Sequence, residues 1–122
     1  MDKNFLLIGS VAAFLAVGIG AFGAHGLRTR LSADMLAVFE TGVRYHMYHA
    51  LALLATALVL GRMSGWLVVC AGWCFTAGIV LFSGSLYLLA LTGITVLGAI
   101  TPLGGLAFLI GWACLALAAA SL

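Results

Sequence analysis

Charge is what this chain has least of. Only 7% of its 122 residues are Asp, Glu, Lys or Arg, where a soluble domain carries about 25%. The last of them is Arg62, so residues 63–122 hold no acid, lysine or arginine, and no histidine either. At 66% hydrophobic, a chain this short cannot hide its apolar surface in a water-soluble globule, because small domains leave much of their surface exposed. A net charge of +2 with no basic cluster among aromatics excludes nucleic acid as a partner. Catalytic sets are missing too: there is no Gly-x-Ser-x-Gly, no His-Glu-x-x-His and no carboxylate pair. Cys70 and Cys74 are four apart rather than Cys-x-x-Cys, and with Cys114 they lie in apolar runs as small hydrophobes. Gly18–Gly26 is glycine-rich but closes an apolar run, so it is no phosphate loop. These absences predict an all-α integral membrane protein that is not an enzyme and carries no cofactor.

What is present is a series of apolar runs. After the polar start Met1-Asp2-Lys3-Asn4, Phe5 to Ala24 is apolar for twenty residues, about 30 Å as a helix and enough to cross a bilayer core. A signal peptide is the competing reading, and the run is too long for its apolar region. Ala12, Ala16, Gly20 and Ala24 recur every four residues, a small-residue stripe for close helix contact. Arg28-Thr29-Arg30 marks a loop. Ser32 is placed to cap the next helix, with Asp34 in its first turn. That helix, over about 33–61, is about 43 Å long and extends into the headgroup layer. Gly61–Gly65 is a tight connection. The third span runs over about 66–91, with Trp66 and Trp73 as interfacial anchors, and Thr92-Gly93 ends it. The fourth spans about 97–120; either Thr101-Pro102 starts it, with proline in the first turn, or Pro102 kinks a helix begun near Val96. The expected architecture is one domain, residues 1–122, folded as a compact bundle of four transmembrane helices with both termini on one side. The loop charges, Arg28 and Arg30 against Lys3 and Arg62, are close to balanced and decide the orientation only weakly.

Against this background Phe39–His49 stands out. Within eleven residues it holds Glu40, Arg44, Tyr45, His46, Tyr48 and His49. Polar groups at the mouth of a span are expensive and call for a reason. On a helical wheel Glu40, Arg44, Met47 and Leu51 share one side, and Gly42, His46, His49 and Leu53 the other, with Tyr45 one turn before His49. Glu40 and Arg44 have the spacing of an intrahelical ion pair. The same Arg44 is a candidate for an anionic headgroup. His46, His49 and His25 could approach one metal, but nothing completes a zinc set, and histidines on adjacent turns do not face each other across a haem. The histidines are therefore expected to bond to neighbouring helices, with Ser83, Ser85 and Tyr87 of the Phe82–Tyr87 stretch as partners. No metal is expected.

With these residues laid out, the chain resembles the small membrane family called domain of unknown function 423, to which transmembrane protein 256 of animals is related. The matching stretches are Gly20–Leu27, Phe39–His49, Phe82–Tyr87 and Thr101–Gly105 with Gly111-Trp112. The resemblance implies a four-helix bacterial inner-membrane protein and no established activity. It also implies that His25, Arg44, Tyr45, His46, His49, Ser83, Ser85 and Tyr87 form one site. The leading expectation is a non-enzymatic protein that interacts with membrane lipids and forms homo-oligomers through Gly/Ala helix faces. The alternative is a minimal oligomeric transporter or channel with a polar site around Arg44, His46 and His49.

Overall fold

The computed structural model describes residues 2–122; Met1 lies outside them. They form an all-helical bundle with α1 over Asp2–His25, α2 over Ala33–Arg62, α3 over Trp66–Gly78, α4 over Gly84–Thr92 and α5 over Thr101–Ala120. A π-helical turn, Ile79–Ser83, joins α3 to α4 without a break, and a 3₁₀ turn, Thr95–Ala99, precedes α5. Four helical stretches are long and apolar enough to cross a membrane: Lys3–His25, Ala33–Arg62, Trp66–Thr92 and Thr95–Ala120.

The helix ends follow local chemistry. Ser32 Oγ accepts the Met35 N–H at 3.2 Å, capping α2 ahead of Asp34. Gly93 takes φ 73°, a left-handed turn open to glycine, and its N–H closes α4 on the Leu89 carbonyl. Pro102 lies in the first turn of α5, where its missing N–H costs nothing. The two readings of this proline thus resolve into a third: a 3₁₀ turn comes first, and α5 restarts beside it.

Packing relies on rings seated on glycines. Phe39 of α2 lies over Gly23 of α1, Phe5 of α1 over Gly72 of α3, and Tyr87 of α4 over Gly42 of α2. Between α3 and α5 the arrangement is reciprocal. Phe75 covers Gly111 while Phe108 covers Gly78, so each helix gives a ring and receives one. Gly104 is the least yielding of these close approaches, because a Cβ there would strike the backbone of Phe82 inside the π turn and not a side chain. Three of the rings and their neighbours recur as Phe-x-x-Gly, at Phe39–Gly42, Phe75–Gly78 and Phe108–Gly111. Without a hydrophobic drive between helices in lipid, such close van der Waals fit is what holds them together.

The small-residue stripe of α1 is used inside the chain. Ala12 and Ala16 are buried, and Gly20 faces Val43 of α2, while Ala24 is exposed. The opposite face of α1, with Ser10, Ala13, Phe14, Val17 and Gly18, lines a shallow hollow of about 480 Å³ on the outside.

Candidate functional site

The conspicuous stretch of α2 divides among three places. Its outward face carries Glu40 and Arg44, whose carboxylate and guanidinium stand 3.9 Å apart and more than half exposed. They edge a hollow of about 160 Å³ beside Gly20, Gly23 and Ala24 of α1, which exists because those residues have little or no side chain. An exposed pair at this distance contributes little to stability.

The inward face carries His46, and this ring is buried. Its Nδ1 is 2.8 Å from the Tyr87 hydroxyl of α4, and the ring also faces the Ala12 backbone of α1. One turn earlier, Ser83 Oγ–H donates to the Gly42 carbonyl at 2.7 Å, with Ser83 fully buried. This bond and the Tyr87 ring on Gly42 lock α4 to α2. Ser85 belongs to the other side of the π turn. It bonds the Phe82 carbonyl and, at 2.6 Å, the Thr101 hydroxyl at the start of α5.

His49 forms the third place. Its Nδ1 lies 2.7 Å from the Tyr45 carbonyl, which can only accept, so Nδ1 carries the proton. Its Nε2 accepts the Trp112 indole N–H at 3.1 Å. Both ring nitrogens are therefore satisfied in one neutral tautomer. Phe108 stacks on the same imidazole, centroids 3.5 Å apart and planes within 6°. Tyr45 lies nearly parallel to both rings, at 16° and 23°. Together with Tyr48, Phe82, Gly105, Leu109 and Trp112 they wall a groove of about 420 Å³ between α2 and α5.

The expected single site is therefore not what the geometry assembles. His46 meets Tyr87, but Ser83 bonds a backbone carbonyl instead of a histidine, and Ser85 bonds Thr101. Arg44 faces away from both histidines. His25, in the last turn of α1, is exposed at the bundle's end. Among the described residues no three His, Cys, Asp or Glu side chains group to hold a metal. Trp112 and Thr101 are the partners that residue spacing does not reveal. A wheel gives the face a histidine occupies but not which helix stands opposite it. The Phe-x-x-Gly repeat was the available signal, since Phe108–Gly111 places Trp112 at the edge of the ring contact.

Fold and site together define a small polytopic membrane protein whose interior polar groups bond to one another; among the described residues, every buried side-chain nitrogen and oxygen has a partner. Residues 19–105 match the family model described as protein of unknown function (DUF423), and the chain belongs to that family. It is 55% identical over 118 residues to the UPF0382 membrane protein YwdK of Bacillus subtilis, covering 96% of both chains. A UPF0382 membrane protein of Staphylococcus saprophyticus is 51% identical, with 90% of this chain and 91% of that one aligned. One from Staphylococcus epidermidis is 50% identical, at 95% and 94%. No solved structure matches.

Proposed function

We propose that this protein is a non-enzymatic, lipid-interacting and self-associating protein of the bacterial plasma membrane, with both termini on the same side. The observation that carries the lipid reading is the groove between α2 and α5. It is of small-molecule size, about 300–1,000 Å³ being usual, and it is walled largely by rings. A second hollow of about 350 Å³, between α1 and α3, is lined by Leu7, Val11, Leu15, Ile79 and Val80, with His46 and Thr76 as its polar members. Both suit apolar chains approaching from the bilayer. For self-association the support is the outward hollow of α1 around Ser10, Ala13 and Gly18, since the inner stripe already contacts α2.

A transporter centred on Arg44, His46 and His49 has less support. The three residues point to three places, and both histidines have partners in the chain.

Native mass spectrometry after gentle extraction tests the reading. The expected result is an oligomer that retains lipid, with retention reduced in Trp112→Ala. A bare monomer that binds no added phospholipid would remove both parts of it.

A further inference from the structure

The outer face of α1 presents a ring and an empty seat for one. Phe14 is 78% exposed, more than any other ring among the described residues. Gly18 lies one turn further along the same face, and a Cβ built there would meet nothing within 4 Å. Both line the hollow of about 480 Å³, with Ser10, Ala13 and Val17 as its other walls. An exposed phenylalanine is ordinary on a helix facing lipid, so Phe14 alone points to nothing. Its pairing with Gly18 does, because rings on glycines are how this chain packs helix on helix: Phe39 sits on Gly23, Phe5 on Gly72 and Tyr87 on Gly42. Between α3 and α5 the exchange is mutual. Phe75 stands three residues before Gly78 and Phe108 three before Gly111. The two helices run in opposite directions, so each ring comes level with the other's glycine. Phe14 and Gly18, four residues apart, repeat that arrangement on a face left uncovered.

We propose that two copies of this chain pair antiparallel across this face, Phe14 of each seated on Gly18 of the other. This rests on the self-association reading above and names its partner and geometry. The direction follows from the arrangement. In a parallel two-fold pair equal residues stand at equal height, so Phe14 would meet Phe14 and both glycines would stay open. Inverting one copy about the level of Ala16 brings both rings to both glycines at once. Such a pair needs copies inserted both ways, and the charge pattern fits it. α1 and α2 run in opposite directions, Gly9 meeting Leu53 and Gly23 meeting Phe39. Lys3 and Arg62 therefore fall at one end of the bundle, and Arg28 and Arg30 at the other. Equal numbers at the two ends give no inside preference. Arg44 is offset by Glu40, and no lysine or arginine follows Arg62 to break the tie. Each end of the inverted pair carries the same set, Lys3 and Arg62 from one copy with Arg28 and Arg30 from the other.

Cysteine crosslinking in native membranes tests the geometry, in full chains with Cys70, Cys74 and Cys114 replaced by Ala. Ser10 and Ala21 share the face and stand eleven residues, about 16 Å, apart. A disulfide reaches only about 7 Å between Cα atoms, so the two directions give exclusive patterns. In the antiparallel pair Ser10 of one copy is one residue from the level of Ala21 of the other. The expected result is a crosslink between a Ser10→Cys copy and an Ala21→Cys copy made in one cell, and none when either is made alone. Gly18→Leu, whose Cβ meets nothing in its own chain, should weaken the pair about tenfold, or roughly 1.4 kcal/mol, and suppress the crosslink with helix content unchanged. Without any substitution, C-terminal fusions to green fluorescent protein and to alkaline phosphatase, which report opposite sides of the membrane, should both be active. A Ser10→Cys copy that crosslinks to itself, a mixed crosslink that is missing or that Gly18→Leu leaves unchanged, or activity of one fusion only overturns the proposal. Native mass spectrometry then separates the two readings: an oligomer leaves self-association standing, and a monomer removes it too.

Discussion

His46 and His49 show what polar residues are for in the middle of this bundle. Each replaces a nonspecific apolar contact with a directional one, His46 to α4 and His49 to α5. In membranes such bonds contribute about 0.6 kcal/mol on average and up to about 1.7, so their value lies as much in register as in strength. Tyr87→Phe is expected to destabilise the fold by about 1 kcal/mol, leaving the His46 ring short of its partner. Tyr87→Phe combined with His46→Phe should cost less than the sum of the two single changes; a double-mutant cycle in detergent unfolding measures this, and strict additivity would show the bond to be energetically idle. The glycines make a sharper prediction. Gly104→Ala drives a methyl into the Phe82 backbone and should cost about 1–3 kcal/mol. Gly84→Ala meets open space in an ordinary helical conformation and should be neutral or stabilising. Melting temperatures of the two variants decide it, and an equal loss would contradict the packing described.

At the scale of elements, the π turn sets the position of everything after it. It inserts one residue into the third span, and one residue is about 100° of helix rotation. Deleting Leu81, 36% exposed within the turn, should restore plain α-helix and swing Ser83 and Tyr87 away from Gly42 and His46. The deletion is expected to lose folded protein, assayed by monodispersity after extraction. Deleting Ser64 in the α2–α3 connection should be tolerated. Equal tolerance of both would mean that the turn is dispensable. Much of the fold was readable beforehand because its causes are local: Ser32 as a cap, Gly93 as a stop, and the length of α2 from an unbroken apolar pattern. The π turn was not readable, because its supports are remote. Gly104 makes room for the Phe82 backbone, and the Gly42 carbonyl waits for Ser83. The candidate site was half legible for the same reason. Residue type and face picked out His46, His49 and Tyr87, while Trp112 and Thr101 needed the third dimension.

For the molecule as a whole, the thirty residues of α2 are the main consequence for the membrane. At about 45 Å they exceed a bilayer core of about 30 Å. The surplus is about ten residues, and the first turns, which carry Asp34 and Glu40, are the part expected in the headgroup layer. In a chain with Cys70, Cys74 and Cys114 replaced by Ala, a cysteine at Asp34 should react with a membrane-impermeant maleimide, and one at Leu53, which is fully buried, should not. Labelling at Leu53 would place α2 differently. Across the bundle the most extensive contacts are those of α1 with α2 and of α3 with α5. These are successive spans, and the ring-on-glycine clasps Phe39–Gly23 and Phe75–Gly111 fall within the same two pairs.

That pairing bears on biogenesis. A clasp between consecutive spans can close while the ribosome is still extending the chain, before the other half of the protein exists. The insertion machinery would then release two finished hairpins, and the last step would be the docking of one against the other through Phe5 on Gly72 and Tyr87 on Gly42. Cutting the gene in the Met63–Gly65 connection and producing both pieces in one cell should accordingly yield a complex that co-purifies, and each half should insert without waiting for its mate.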